Sequence, residues 1–191
     1  MPKTLKELKE YLKKLPKDFI VLVNVKAENY LKTNMEILKL LCNDEGLPGV
    51  YITVNKPYQT MVRMLDDHKV KTDKLFFIDC ITKTAGGQTD PDNKRVLYMD
   101  SPQNLTGLGV ALGEAVRAID GNNKFLFLDS LSTLQLYHNV GTVAKFSHFL
   151  TGRMRMWALR GILISMEKEA DPTLTTQLAQ FCDNVVTLED E

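Results

Sequence analysis

The sequence is poor in the residues that usually indicate a metal or redox centre. Its 191 residues include one tryptophan and three cysteines, and no two of these cysteines have CxxC spacing: Cys42, Cys80 and Cys182. The three histidines show no ligand spacing with cysteines or carboxylates, so we expect no metal site built from them. The odd number of cysteines, each in an apolar context, is typical of reduced core residues.

The sequence also lacks an excess of charge of either sign, because 24 Lys and Arg residues balance 24 Asp and Glu residues. A neutral chain has no overall attraction for phosphate backbones, which disfavours a nucleic-acid partner. A long apolar run and a signal peptide are absent too, so we expect neither a membrane span nor a secretory leader. With the reduced cysteines, these absences favour a cytoplasmic protein.

Residues 1–17 are the most basic segment, with six lysines against Glu7 and Glu10. Thr4 and Glu7 have the spacing of a capping box, which predicts an amphipathic helix directly after Thr4. Its leucines recur every three or four residues and form one apolar stripe: Leu5, Leu8, Leu12 and Leu15. We interpret this stripe as cover for a central sheet, and the alternatives are a subunit contact or a membrane surface.

Apolar, β-branched runs alternate with amphipathic helical patterns along the chain. The predicted strands are 19–25, 49–55, 74–80, 96–100, 124–130, 161–167 and 184–188. The predicted helices between them are 30–43, 57–68, 104–119, 131–138, 142–159 and 172–182. The alternation predicts a single α/β domain over residues 1–191, with a mainly parallel sheet covered on both faces. Ligands of such sheets bind beyond the carboxyl ends of the strands, so those ends hold the candidate site.

Two strand ends carry residues typical of a nucleotide site. Lys32 and Thr33 follow the first strand, as the last two residues of the phosphate-binding loop Gly-x-x-x-x-Gly-Lys-[Ser/Thr] would. Asp129 ends the apolar run 125–128, which is the pattern of a Walker B aspartate that holds Mg²⁺ through water. The plainer interpretation is a solvated lysine, an ordinary helix threonine and an aspartate that caps a helix.

The order of the blocks resembles the KaiC-like branch of the RecA ATPase superfamily. The matching segments are GVYITVNKPY, KLFFIDCIT, SPQNLTGLGVALGEAV, FLFLDSLSTLQLYHN and RGILISMEKEADPTLTTQLAQFCDNVVTL. The resemblance implies a RecA-like three-layer αβα sandwich, the P-loop NTPase fold, that often assembles into rings. It also implies ATP and Mg²⁺ as ligands, with Lys32, Thr33 and Asp129 at the nucleotide.

The phosphate loop departs from the pattern of that family. In the register set by Lys32 and Thr33, its two glycine positions hold Lys26 and Leu31. Glycine readily reaches the backbone conformations that point successive N–H groups at a phosphate. A residue with a side chain, if forced into them, is strained by about 1–3 kcal/mol. The loop is therefore degenerate.

The catalytic glutamates depart as well. Where the resemblance implies Glu-Glu at the end of the second strand, the chain has Asn55 and Lys56. Neither side chain accepts a proton from an attacking water at neutral pH. Both departures point to a pseudo-ATPase.

Two hypotheses follow. The first is a non-hydrolytic protein that acts by binding, in a regulatory or assembly role, with protein partners or as a homo-oligomer. The second is an ATP-binding protein or slow ATPase with a rebuilt, glycine-free loop and an acid from another strand end: Asp79, Glu28 or Glu167. A helix that begins at residues 27–29 favours the first hypothesis, and a wide loop with inward N–H groups favours the second.

The polar loop 81–95 and the arginines around Trp157 complete the candidates. The charges of the loop are balanced and no aromatic residues are interleaved, which disfavours nucleic acid there. By the resemblance, Arg153, Arg155 or Arg160 would reach the nucleotide of a neighbouring subunit. The plainer interpretation is that they complement a helix dipole, with Arg153 and Arg160 on one solvated face.

Overall fold

The computed structural model describes residues 1–166 and 171–189. Its strands are β1 (Ile20–Val25), β2 (Gly49–Thr53), β3 (Leu75–Asp79), β4 (Val96–Tyr98), β5 (Phe125–Asp129), β6 (Arg160–Met166) and β7 (Asn184–Thr187). They form one sheet in the order β4-β3-β2-β5-β6-β1-β7, and every pairing between them is parallel. The predicted α/β class is confirmed, with a fully parallel sheet.

Helices cover both faces of this sheet. They are α1 (Leu5–Lys14), α2 (Tyr30–Leu38), α3 (Tyr58–Asp67), α4 (Leu105–Ala118), α5 (Leu131–Leu134), α6 (Val140–Met156) and α7 (Pro172–Leu178). The first three pack on one face and the last four on the other, which gives the predicted three-layer αβα sandwich. Among the described residues, no helix is long and apolar enough to cross a membrane.

Alternation along the strands builds a separate core on each side of the sheet. In β5, Phe125 and Phe127 pack under α1–α3, whereas Leu126 and Leu128 pack under α4–α7. Successive side chains of a strand point to opposite faces, so a strand covered on both faces is apolar throughout. These apolar runs are the reason that the strands can be recognised in the sequence.

The N-terminal helix α1 joins one of these cores. Thr4 Oγ1 accepts a hydrogen bond from the Glu7 backbone N at 3.3 Å, and the Glu7 carboxylate accepts one from the Thr4 backbone N at 3.4 Å. This reciprocal pair is the capping box expected from the sequence. Leu8 and Leu12 are fully buried beneath the helix. Its lysines at positions 6, 13 and 14 are exposed, whereas Lys9 is half-buried and pairs with Glu36 of α2 at 2.9 Å.

Several predicted elements are shorter than expected, and two of them end beside the carboxyl end of β5. The predicted strand 49–55 ends at Thr53, because Thr53 Oγ1 accepts from the Lys56 N at 3.2 Å and donates to the Lys56 O at 2.6 Å, which closes a turn. The predicted helix 131–138 ends at Leu134. After it, backbone N–H groups donate hydrogen bonds to the carbonyl oxygen three residues earlier, as in a 3₁₀ turn. Both terminations leave irregular chain beside the carboxyl end of β5.

The expectation that Arg153 and Arg160 share a solvated face is wrong. Arg160 begins β6 and is buried, with its guanidinium 2.6 Å from a carboxylate oxygen of Glu45. The helix that carries Arg153 ends at Met156, before Arg160 is reached. The seven-residue spacing therefore does not lie on one helix.

Candidate functional site

Polar side chains from three elements converge on Asp129 at the carboxyl end of β5. The Asp129 carboxylate is 0% exposed and accepts hydrogen bonds on both oxygens. The Tyr51 hydroxyl donates to Oδ2 at 2.5 Å, the Asn55 amide donates to Oδ1 at 3.0 Å, and the Tyr30 hydroxyl also donates to Oδ1. We call this group the Asp129 cluster: Asp129, Tyr30, Tyr51, Asn55, Ser130 and Thr133.

The register between β2 and β5 positions Tyr51. Tyr51 lies opposite Phe127, and Thr53 lies opposite Asp129, one pleat further along. The Tyr51 ring stacks on Phe127, with the centroids 5.2 Å apart and the planes 14° apart. The hydroxyl at the far end of the ring therefore reaches the carboxylate that follows Phe127 on the same face.

The chain after β1 positions Tyr30. A 3₁₀ turn over Ala27–Asn29 leads directly into α2, so Tyr30 is the first residue of that helix. The Lys56 ammonium lies 5.1 Å from the centroid of the Tyr30 ring, a cation–π contact. The Asn55 amide also donates to the Tyr30 hydroxyl at 3.0 Å.

Hydroxyl groups on the other side of the cluster fix the orientation of Asn55. The Thr133 hydroxyl donates to the Asn55 Oδ1 and lies 2.7 Å from the Ser130 Oγ. With its carbonyl oxygen so engaged, Asn55 presents its NH₂ group to Asp129. At the position where the family pattern has a glutamate, this chain thus has a hydrogen-bond donor.

Burial and hydrogen bonding act on Asp129 in opposite directions. Burial raises the pKa of the carboxyl, while donation from Tyr30, Tyr51 and Asn55 and the charge of Lys56 lower it, and the net pKa lies above the usual value. Burial, followed by the nearby Asp129 charge, also raises the pKa of both tyrosines. Both hydroxyls therefore keep their protons and remain donors.

The predicted phosphate-loop residues lie elsewhere. Lys32 is exposed on the side of α2 that faces α1, near Lys9 and Glu36, and Thr33 is buried. Both border a cavity of only about 20 Å³. No member of the Asp129 cluster lines that cavity, so the structure brings Asp129 together with Asn55 rather than with Lys32 and Thr33.

The two positions at which the phosphate-loop pattern has glycine, Lys26 and Leu31, have ordinary backbone and burial. Lys26 is extended, with φ −69° and ψ 148°, and directly precedes the 3₁₀ turn. Leu31 lies in α2 and packs partly buried against the core beneath α1–α3. The segment between them is helical and shows no wide loop.

The three acids considered as alternative bases have different surroundings. The carboxylate of Asp79 accepts from the backbone N–H groups of Tyr58, Ile81 and Thr82 at 2.7, 2.7 and 2.8 Å, so it caps the chain after β3. Glu28 is exposed in the 3₁₀ turn. Glu167 lies outside the described residues.

The arrangement around Asp129 does not fit a magnesium ion held through water. Both carboxylate oxygens already accept from protein donors, and the side chain is sealed from solvent. Within residues 1–166 and 171–189, no three His, Cys, Asp or Glu side chains converge in a way that could hold a metal ion. The chemistry available at the cluster is hydrogen bonding between one carboxylate and neutral donors.

A family model matches residues 34–188, which is most of the chain. The chain belongs to DUF7504, a family of unknown function. The match begins just after Thr33, so it includes Asn55, Lys56 and Asp129 but not Tyr30. No protein of curated function matches this DUF7504 chain.

Solved structures show which fold this DUF7504 member has. The KaiC-like protein PH0186 from the hyperthermophilic archaeon Pyrococcus horikoshii OT3 is 16% identical with a TM-score of 0.64, covering 91% of this chain and 72% of that one. The uncharacterised protein PH0321 from Pyrococcus horikoshii, in complex with an unknown peptide, is 14% identical with a TM-score of 0.70, covering 97% and 84%. The DUF7504 chain therefore has the KaiC-like, RecA-type fold, and the resemblance seen in the sequence is confirmed.

The tyrosines of the cluster could not be found from the sequence. Tyr51 has the same strand parity as Thr53, but parity does not reveal the register with β5. Tyr30 precedes Lys32 by two residues, and nothing in the pattern says that its ring turns towards Asp129. Asp129 is recognisable from its place after the apolar run 125–128, whereas Asn55 and Lys56 are marked only by the family pattern.

Proposed function

We propose that this chain is a non-hydrolytic KaiC-like protein that acts by binding, in a regulatory or assembly role. One observation carries the proposal. The Asp129 carboxylate, which would support Mg²⁺ in an active relative, accepts from Tyr30, Tyr51 and Asn55 instead.

The energetic argument concerns what a nucleotide would have to displace. A hydrogen bond to a charged group contributes about 1.5–3 kcal/mol. Freeing Asp129 from two tyrosine hydroxyls would therefore oppose binding by roughly 3–6 kcal/mol, or about two to four decades of affinity. The 3₁₀ turn at Ala27–Asn29 and the start of α2 would also have to unwind to form a phosphate cradle.

The substituted glutamate positions support the same proposal. Asn55 donates to Asp129, and Lys56 lies over the Tyr30 ring, so neither is available to activate a water. Among the acids proposed as substitutes, Asp79 is fully engaged by backbone donors. A hydrolytic reaction would lack its metal support at Asp129 and a base at Asn55, Lys56 or Asp79.

The binding role is supported by the fold and by one relative. The structure of PH0321, which has the same fold, contains a bound peptide of unknown identity. A RecA-type domain without a usable nucleotide site still offers broad helical surfaces for a polypeptide partner or for a second copy of itself. The partner class we propose is therefore a protein.

Calorimetric titration with Mg-ATP and with a non-hydrolysable analogue tests the proposal. We expect no saturable heat up to 1 mM nucleotide for the wild type, and none for Lys32→Ala/Asp129→Asn. Saturable heat in the micromolar range that disappears in the double variant would overturn the proposal in favour of an ATP-binding protein with a rebuilt loop. A phosphate-release assay would then decide between binding and slow hydrolysis.

A further inference from the structure

A groove between α4 and α6 lies on the face of the molecule opposite to α1–α3. It encloses about 600 Å³. On the α4 side, Leu105, Gly109, Gly113 and Arg117 recur every four residues and form one continuous stripe. Twelve residues of helix extend about 18 Å, so the groove is long enough for a helix of three to four turns.

The floor of the groove is apolar and shaped by glycine. A Cβ on Gly109 would stand 2.9 Å from the Phe149 ring, so only glycine lets that ring lie against α4. Phe149 is nevertheless 42% exposed, and Val110 beside it is 60% exposed. Large apolar side chains that remain exposed along a groove are typical of a surface that contacts another molecule.

The rim of the groove is cationic. Arg117, Lys145 and Arg153 line it, and none of its lining residues is acidic. In the part of the chain that the structure describes, none of these three forms a salt bridge, whereas Arg155 on the same helix is paired with Asp183 at 2.9 Å. Since the whole chain is neutral, this is a local concentration of unpaired positive charge.

We infer that the groove between α4 and α6 binds an acidic amphipathic helix of a partner protein. The apolar face of such a helix would lie on Phe149 and Val110, with residues spaced i, i+4 and i+7. Glutamates or aspartates flanking that face would pair with Arg117, Lys145 and Arg153. This is the helix-in-groove mode of recognition, with charge complementarity setting the choice of partner.

The aromatic residues favour a peptide over a single-stranded nucleic acid. The Arg153 guanidinium carbon lies 5.3 Å from the Phe149 centroid and 5.4 Å from the Trp157 centroid. It therefore occupies the ring surfaces on which bases would stack in a single-stranded nucleic-acid site. The glycines and aliphatic side chains of the floor suit Leu or Phe side chains better than sugar and phosphate.

The chain provides its own reporter for this surface. Trp157 lines the groove and is the single tryptophan of the sequence, so its fluorescence reports on the groove alone. A displayed library of random 16-residue peptides is selected on the full-length protein. An enriched peptide is then synthesised and titrated against Trp157 fluorescence at low and high salt.

We expect the enriched peptides to be acidic, with apolar residues at i, i+4 and i+7, and to shift the Trp157 emission in a saturable way. Arg153→Glu and Lys145→Glu should each weaken binding by about tenfold. Gly113→Leu should block it, because a side chain there would project towards Arg117 and Trp157. Arg63→Glu, an exposed cation on α3, is the matched control and should leave binding unchanged. Circular dichroism confirms that each variant is folded.

Four results would overturn the inference. They are no enrichment, enrichment of peptides without acidic residues, equal binding by the charge-reversed variants, and tighter binding of a 15-nucleotide oligo-dT. Self-association in sedimentation that Arg153→Glu abolishes would assign the groove to a second copy instead. The inference rests on the binding role proposed above but not on the absence of nucleotide binding. If the peptide experiment fails while the ATP titration shows no binding, only the assignment of the groove is lost and the proposed function stands.

Discussion

At the scale of single residues, Asp129 has a structural role that its position in the sequence does not reveal. The carboxylate is withdrawn from water and satisfied by Tyr30, Tyr51 and Asn55. A buried polar network of this kind is stable only when every member has a partner. Asn55 supplies a donor at a point where a second carboxylate would be repelled by the first.

The raised pKa of Asp129 predicts how stability depends on pH. In the unfolded chain the carboxyl loses its proton near pH 4, but in the folded chain it does so at a higher pH, because burial disfavours the charge. Between these two pKa values the folded state holds more protons, so the free energy of unfolding falls as the pH rises, by up to about 1.4 kcal/mol per pH unit. Urea unfolding from pH 4 upwards measures the free energy of unfolding of the wild type and of Asp129→Asn. The wild-type value minus the Asp129→Asn value should fall across that pH range and then level off.

Two further variants control this pH experiment. Tyr51→Phe removes a hydrogen-bond donor to the Asp129 carboxylate, which raises the pKa of Asp129 further. The fall in the free energy of unfolding should therefore extend to higher pH than in the wild type. Asp66→Asn, at an exposed aspartate of α3, should show no comparable fall. A difference between the wild type and Asp129→Asn that is flat or rises with pH would contradict the expected charge state.

At the scale of elements, the chain after β1 has no glycine before Gly46 and forms helix rather than a wide loop. The segment from Ala27 forms a 3₁₀ turn and continues as α2. The sequence predicted this helix from residue 30 onwards by its apolar spacing and allowed an earlier start at residues 27–29, but it did not predict that these residues form a 3₁₀ turn. It also did not predict that the last part of the helix, Lys39–Asp44, widens to a π-helix before Gly46 at φ +63°. Hydrogen-bond spacing within a helix leaves little trace in the apolar pattern.

The role of α1 can be tested by its leucine stripe. Leu12 is fully buried with the core beneath α1–α3, so Leu12→Ala should lower the free energy of unfolding by about 2–5 kcal/mol. Lys13 is exposed and pairs with Glu10 at 2.8 Å, so Lys13→Ala should leave the free energy of unfolding almost unchanged. Urea denaturation of both variants at neutral pH makes the comparison.

A partner-binding helix would give the opposite pattern. If Leu12→Ala left the unfolding free energy unchanged, α1 would not be part of the core, and its lysines would become the better candidates for a contact. If Lys13→Ala were as destabilising as Leu12→Ala, the exposed ion pair would matter more than burial. Either result would contradict the interpretation of the stripe as cover for the sheet.

At the scale of the whole molecule, the sequence reveals the elements more readily than their arrangement. The run at Phe125–Asp129 is recognisable because both faces of β5 are covered. The strand order is not recognisable, because strands that pair in the sheet can lie far apart in the chain. The first strand, β1, pairs with the last two, β6 and β7. The groove is hidden for the same reason: Arg117 and Arg153 are far apart in sequence, and only packing of α4 against α6 brings them together.

The last prediction concerns the stability of the whole fold in the presence of nucleotide. A ligand that binds only the folded state stabilises it according to its saturation, by about 2.7 kcal/mol at one hundred times its dissociation constant. For a domain of this size, that raises the melting temperature by roughly 5–10 °C. If ATP bound with a dissociation constant of about 10 μM, 1 mM Mg-ATP would produce this shift. We expect less than about 1 °C, because Asp129 is covered and residues 27–30 are helical.

Scanning calorimetry with and without 1 mM Mg-ATP makes the measurement, and an acidic peptide selected for the groove serves as the positive control. At one hundred times its own dissociation constant, the peptide should give the full shift that nucleotide fails to give. A nucleotide shift of several degrees that is lost in Lys32→Ala/Asp129→Asn would mean that Tyr30 and Tyr51 leave the carboxylate when ATP arrives. The Asp129 cluster would then be a closed form of a working site, and the peptide result would decide independently whether the groove binds a partner.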